Sequence, residues 1–387
     1  MRLFTSLALI LSTTSATAQC GGSFADFLSG VRAEAAERGL DAGATDRFLS
    51  GARQDQSVLN ADRRQGVFQK DFIAFSRALI SQNRIDNGRA QATRQDAIFD
   101  LIQSEFGIPR EVLLAFWAFE TDYGSFQGDY NTRNALLTLA HDCRRPELFR
   151  PQVFAGIALT AQGGMDPART TGAWAGEIGM VQMLPGDIIE NGRDGDGNGV
   201  VDLKGSAPDA LLSGASVLAS LGWRANEPWL QEITVPAGLN WSETGLDHPK
   251  TVAEWNALGV ASRDGSAPLN MTARVILPMG RNGPAFFAYP NFDVYFEWNQ
   301  SFTYVMTAAY FATRLAGAPV YNAGNPSPAL SGEQIQQLQQ KLAARGYDVG
   351  GVDGILGAQT RNAIRLEQER LGLPADAWPT RELLNSL

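Results

Sequence analysis

The chain has 387 residues, more than one usual domain requires, with 44% hydrophobic residues to build cores and a formal net charge of −9. That charge excludes nucleic acid as an expected partner, because an anionic polymer needs a basic groove. Only two histidines occur, His141 and His248, and there is no G-x-S-x-G elbow, so Ser-His and Cys-His hydrolases have little to work with and acid–base chemistry falls to carboxylates.

At the N-terminus Arg2 precedes an apolar run from Leu3 to Leu11, then Ser and Thr residues, then Ala16-Thr17-Ala18. A charged start, a short greasy core and small residues predict a signal peptide over 1–18, cleaved after Ala18, and an exported, periplasmic product. The run falls short of the about 20 apolar residues that span a bilayer, and no later stretch qualifies, so no transmembrane segment is expected. A lipid anchor on Cys20 is the rival reading, disfavoured by Gln19 immediately before it. In an oxidising compartment the simplest use of Cys20 and Cys143 is one disulfide; Cys143 with His141 makes only half a zinc site.

Phe24, Phe27, Leu28 and Val31 recur at helical spacing, as do Phe72, Phe75 and Leu79, and Gly39, Gly43 and Gly51 read as turns. After Gly107, Pro109 is placed as a first-turn residue, and REVLLAFWAFETDYG runs to a stop at Gly124. Almost every position from Val112 to Phe119 is apolar, so this helix is buried nearly all round. Glu120 sits at its end with Phe116 and Trp117 one turn back. A carboxyl there is poorly hydrated, which raises its pKa and suits a general acid. Asp122 is a poor second carboxylate, because residues two apart do not share a helix face.

Asp194, Asp196, Asn198, Gly199 and Asp202 reproduce calcium-loop spacing, with the Val200 carbonyl as a further ligand. Gly205 occupies the position of the bidentate glutamate, so a weak structural calcium is expected unless Asp209 or water substitutes. Strands are few; one candidate pair lies around Ala273 to Leu277 and Ala285 to Tyr289. The run LAGAPVYNAGNPSPALS marks a linker over 317–330 between a unit of 20–316 and a tail of 331–387. In the tail Ile335, Leu338 and Leu342 share a helical face, Gly346 stops that helix, and a second begins near Thr360 with Ala363 and Ile364 inward.

ETDYGSF from Glu120, NALLTLAHD, AGEIGMVQMLPGD from Ala175, GPAFFAYPNF from Gly283 and WNQSFTY from Trp298, with ADRRQGVF near Asp62, resemble the lytic murein transglycosylases of the membrane-bound B type, family 3, over about 22 to 316. The resemblance implies a mainly α, lysozyme-like domain with a small β element, needing no cofactor for catalysis and acting as a monomer on peptidoglycan glycan strands. It implies Glu120 as the single catalytic acid and base, forming a 1,6-anhydro product. It also implies Gln182 as a substrate contact, Asn299 and Tyr304 as a pair holding the sugar's N-acetyl group, and a cation in the acidic loop. Two positions depart. Ala173 replaces a serine, and Glu177 replaces a small residue, which leaves open a hydrolytic muramidase with Glu177 as second carboxylate, or a non-catalytic wall-binding scaffold. The tail resembles a three-helix peptidoglycan-binding module through Asp353-Gly354, Gly357, Thr360 and Ala363. Glu367 stands where that module has Phe, so Leu366 is expected to rebuild the core.

Overall fold

The computed structural model describes residues 20–64 and 70–387. The expected leader and part of the ADRRQGVF segment lie outside the described residues. The chain is mainly helical with small sheet elements, and it divides into two compact units. One holds residues up to Arg63 with Gly128–Ile178 and Leu184–Ile189; the other holds Arg64–Gln127, Gly179–Met183 and Glu190–Leu387.

In the first unit the helices Phe24–Glu37, Ala42–Leu49, Thr132–His141 and Pro146–Gln162 bury Phe27, Val31, Phe48, Leu136 and Ile157 in one apolar cluster. Cys20 and Cys143 form the expected disulfide. His141 packs edge-on against Phe24, so it is part of this core. Gly43 is a helical residue instead of a turn, because the Asp41 side chain caps the Ala44 amide and starts the helix before it.

In the second unit, the apolar run predicted as a buried helix forms Arg110–Thr121. Gly107, in the left-handed conformation, closes the preceding helix Asp96–Phe106, and a Cβ there would meet the backbone of Ala225 at 2.7 Å. The two expected strands pair antiparallel as Thr272–Ile276 and Ala285–Ala288. They lie within a five-stranded sheet whose other long member, Leu230–Thr234, pairs with Ala285–Ala288. Phe287 and Tyr289 are fully buried beside Trp255.

The segment 317–330 forms no helix or strand, yet it is packed. The Tyr321 hydroxyl lies 2.9 Å from Ser76 Oγ, its ring sits 4.8 Å from that of Tyr310, and the Asn325 amide donates to the Asn282 carbonyl at 2.7 Å. Its composition forbids regular structure but not burial. The tail contains the helices Gly332–Ala343, Ala358–Arg370 and Arg381–Ser386 around Leu338, Leu342, Ile364 and Leu383. Leu366 does not rebuild its core: it is 38% exposed. Glu367 itself is buried and accepts from the Tyr347 hydroxyl at 2.9 Å and from Arg370 Nε and Nη2 at 2.8 Å each. Those donors satisfy the carboxylate and hold it below the usual range, led by the Arg370 hydrogen bonds. A polar network thus replaces an aromatic plug. No helix among the described residues is long and apolar enough to cross a membrane.

Candidate active site

Glu120 lies in the last turn of Arg110–Thr121, whose residues Val112 to Ala118 are all buried. Its Oε1 accepts from the Tyr304 hydroxyl at 2.5 Å and from Trp298 Nε1 at 3.0 Å. Both donors come from one corner of the chain. Trp298 ends the helix Asn291–Trp298, and Tyr304 lies in the first turn of Phe302–Leu315, which Ser301 caps. The Trp298 ring also packs 4.5 Å from Phe116, and Tyr304 meets Phe119 edge-on at 5.8 Å. The helix that carries the carboxyl therefore also supplies the apolar surfaces that orient its two donors.

Burial pushes the Glu120 pKa upward, and the hydrogen bonds from Tyr304 and Trp298 pull in the opposite direction without cancelling it. Tyr304 is raised well above its ordinary value, by burial first and by the Glu120 charge second, so it stays a proton donor to the carboxyl. Both donors fall on one oxygen, Oε1.

Asn299 caps the C-terminal end of Asn291–Trp298, and its Oδ1 accepts from the Ser301 amide at 2.9 Å. Gln182 has a left-handed backbone, with φ of 55°, uncommon for a residue with a side chain and frequent at functional sites. Its Nε2 donates to the Gly179 carbonyl at 2.7 Å. The Thr121 hydroxyl donates to the Met180 carbonyl at 2.6 Å, tying the segment that carries Gln182 to the end of the Glu120 helix. Tyr304 is thus brought onto Glu120, whereas Gln182 and Asn299 make these hydrogen bonds with neighbouring backbone. Asp122 is paired with Arg84 at 3.0 Å. Ala173 and Glu177 belong to the first unit, where the Ala173 amide donates to the Glu177 carbonyl at 3.0 Å. Sequence reasoning does not single out Trp298; its only signal is a place beside Asn299 in WNQSFTY.

In the acidic loop, carboxylate oxygens of Asp194, Asp196 and Asp209 lie within 4.8 Å of one another. This all-oxygen donor set fits a hard cation such as calcium. The remaining expected ligands are turned to other work. Asn198 Oδ1 accepts from the Val200 amide at 2.8 Å, and Asp202 Oδ1 accepts from Lys204 and Gly205 at 3.0 and 2.9 Å. Asp209 is wholly buried and also binds the amides of Gly195 and Asp202, at 2.9 and 2.7 Å.

The transglycosylase SLT domain family matches residues 23–313, about three quarters of the chain. The chain belongs to that family. A peptidoglycan binding domain family matches residues 331–387. Membrane-bound lytic murein transglycosylase B of Escherichia coli K12 is 23% identical over 298 residues, covering 73% of this chain and 81% of that protein. The crystal structure of SltB3 from Pseudomonas aeruginosa, in complex with NAG-anhNAM-pentapeptide, is 34% identical, covers 95% of this chain and 99% of its own, and has a TM-score of 0.86. Slt35 of Escherichia coli, solved in complex with calcium, shares the fold at 22% identity and a TM-score of 0.65, over 79% of this chain and 98% of its own. As a member of this family, the chain is an enzyme of the lytic transglycosylase type acting on peptidoglycan.

Proposed function

We propose that this protein cleaves the β-1,4 bond between N-acetylmuramic acid and N-acetylglucosamine without consuming water, using Glu120 first as acid and then as base. The observation that carries this reading is a single carboxyl at the end of an apolar helix, with one oxygen held by Tyr304 and Trp298 and its pKa raised by burial. Protonated Glu120 gives its proton to the glycosidic oxygen as the bond from C1 to that oxygen breaks. The substrate's own acetamido oxygen stabilises the positive charge at C1, so a second carboxylate is not required. The muramic C6 hydroxyl then attacks C1 and returns a proton to Glu120, closing the 1,6-anhydro ring. Tyr304 and Trp298 stabilise the intervening carboxylate. Gln182 and Asn299 contact the sugars when substrate displaces their present backbone hydrogen bonds, with Asn299 and Tyr304 meeting the N-acetyl group.

The same reading puts the protein in the periplasm after removal of residues 1–18, as a monomer with a catalytic region of 20–316 and a wall-binding region of 331–387. The acidic loop holds a structural calcium through Asp194, Asp196 and Asp209, with the Val200 carbonyl, and with Asn198 and Asp202 once the ion displaces their present hydrogen bonds from the Val200, Lys204 and Gly205 amides. That ion would brace the loop and take no part in bond cleavage. Mass spectrometry of fragments released from purified peptidoglycan tests the reaction. Anhydro-ended fragments are expected; reducing-ended fragments, heavier by one water, would replace this reading with hydrolysis.

A further inference from the structure

We propose that Arg84 is a positioning residue for Glu120, holding the end of its helix on both sides of the carboxyl. This rests on Glu120 being the acid of the reaction, and it assigns the placing of that acid to a side chain on another helix. Arg84 lies at the start of the helix Gln82–Arg94, where Ser81 Oγ accepts from its amide at 3.2 Å. Its Nε donates to Oδ1 of Asp122, two residues after Glu120, at 3.0 Å. Its guanidinium carbon stands 5.9 Å from the ring centre of Phe119, the residue before Glu120. Its own carbonyl accepts from the Tyr123 hydroxyl at 2.9 Å. Nη1 meanwhile donates to the Leu79 carbonyl at 2.9 Å, at the C-terminal end of the helix Phe72–Leu79, which anchors the guanidinium from a third element.

The turn after Glu120 needs such a clamp. Asp122, Tyr123 and Gly124 are left-handed in succession, with φ of 50°, 59° and 86°. Glycine takes that conformation freely and aspartate tolerates it, but a bulky residue such as Tyr123 is an outlier there. Outliers of this kind persist only where their surroundings hold them, and they cluster at functional sites. Tyr123 is buried with its ring edge-on to Trp117 at 5.6 Å. Gly88, one turn beyond Arg84 on the same helix, makes room for it: a Cβ at Gly88 would meet the Tyr123 hydroxyl at 2.5 Å.

The clamp reaches the proton-transfer group through Phe119. That ring stacks on Phe311 at 5.3 Å and meets Tyr304 edge-on at 5.8 Å, and Tyr304 is the donor to Glu120 Oε1. A shift of Asp122 or of Phe119 therefore turns the carboxyl against its donors. The pair itself is partly open to water, with side chains 21% and 39% exposed, and ion pairs of that kind contribute little to stability. Its loss should thus be felt in the placing of Glu120 more than in folding.

The test is the steady-state rate of glycan-strand cleavage by the full chain across pH, with melting curves beside it, for wild type, Arg84→Met, Asp122→Gly and the double variant. Methionine keeps an alkyl stem near Phe119 without the donors, and glycine keeps the left-handed backbone at residue 122 without the carboxylate. Arg84→Met should lower kcat by about 10–100-fold, the cost of an acid misplaced by up to about 1 Å, with KM held within about twofold. The alkaline limb of its rate profile should move to higher pH, because a loosened Tyr304 favours the Glu120 carboxylate less. Asp122→Gly should act in the same direction, and the double variant should be within about threefold of Arg84→Met, since both substitutions break one contact. A folded Arg84→Met with unchanged kcat and pH profile, a rise in KM at unchanged kcat, or a double variant whose losses multiply would overturn the proposal. Should Arg84→Met fail to fold, Asp122→Gly decides alone, and an unchanged kcat there would overturn it. Cleavage that survives Glu120→Gln rejects the proposed function; cleavage lost in Glu120→Gln but intact in Arg84→Met rejects this proposal alone.

Discussion

Replacing Tyr304 by Phe removes one oxygen, the donor 2.5 Å from Glu120 Oε1, and leaves Trp298 at 3.0 Å as the remaining donor. The ring keeps its edge-on contact with Phe119 at 5.8 Å, so the corner should fold unchanged. A hydrogen bond to a charged group contributes about 1.5–3 kcal/mol. At 1.4 kcal/mol per factor of ten, its loss should disfavour the Glu120 carboxylate relative to the acid by roughly 10–100-fold. The carboxyl then holds its proton to higher pH, so the alkaline limb of the rate profile should move upward. The turnover rate should fall by a similar roughly 10–100-fold, because the carboxylate intermediate between the two proton transfers is less stable. The assay is release of soluble fragments across pH by wild type and Tyr304→Phe, with melting curves recorded beside it. A profile unmoved in position and height would refute the role assigned to this hydrogen bond.

Four further outcomes are expected. Trp298→Phe should move the alkaline limb in the same direction as Tyr304→Phe but by less, since a 3.0 Å indole donor is the weaker partner; a larger effect in pH-profile measurements would reverse that ranking. Glu120→Gln should raise the melting temperature at neutral pH. Because the folded pKa of Glu120 lies above its unfolded value, the native state binds the proton more tightly, and wild-type stability falls as pH rises through that window. The advantage of the variant should vanish below the ordinary glutamate range, and an advantage that persists there would contradict burial as its cause. Cys20→Ser with Cys143→Ser opens a bridge between residues 123 apart and should lower unfolding stability by about 2–5 kcal/mol in denaturant titration; a change below about 0.5 kcal/mol would show that the bridge constrains nothing. Asp209→Ala should abolish any rise in melting temperature on adding calcium and also lower it without calcium, since Asp209 holds the amides of Gly195 and Asp202. An unchanged calcium response would remove Asp209 from the ligand set.

What was legible in the sequence was mostly local. The apolar run before Glu120, the strand pair near residues 273 and 285, and the inward face of the tail helix at Ala363 and Ile364 each follow from periodicity within one element. The disulfide was legible for a different reason: two cysteines allow only one pairing. What escaped depended on distance along the chain. Trp298 and Glu120 are 178 residues apart, and no spacing rule joins an indole to a carboxyl across that gap. The resemblance to the wall-binding module puts Glu367 where a core Phe stands, but only the folded tail shows that Tyr347 and Arg370 satisfy it there. The calcium-loop pattern ends before Asp209, which the sequence offered only as a substitute for the missing glutamate; the folded chain brings it beside Asp194 and Asp196 from the start of the next helix. The segment 317–330 was readable as irregular, while the burial of Tyr321 against Phe72 and Tyr310 was not.

Glu120 is the residue on which the proposed chemistry rests. The measurement is release of soluble fragments from purified peptidoglycan by equal amounts of wild type and Glu120→Gln, each first shown to be folded by its melting transition. Removing one proton-transfer group costs about 10²–10⁴-fold, and in the proposed mechanism Glu120 makes both transfers, so release by the variant should fall by at least the upper end of that range. Release by Glu120→Gln within about tenfold of wild type would contradict this chemistry, because another group would then be moving the proton.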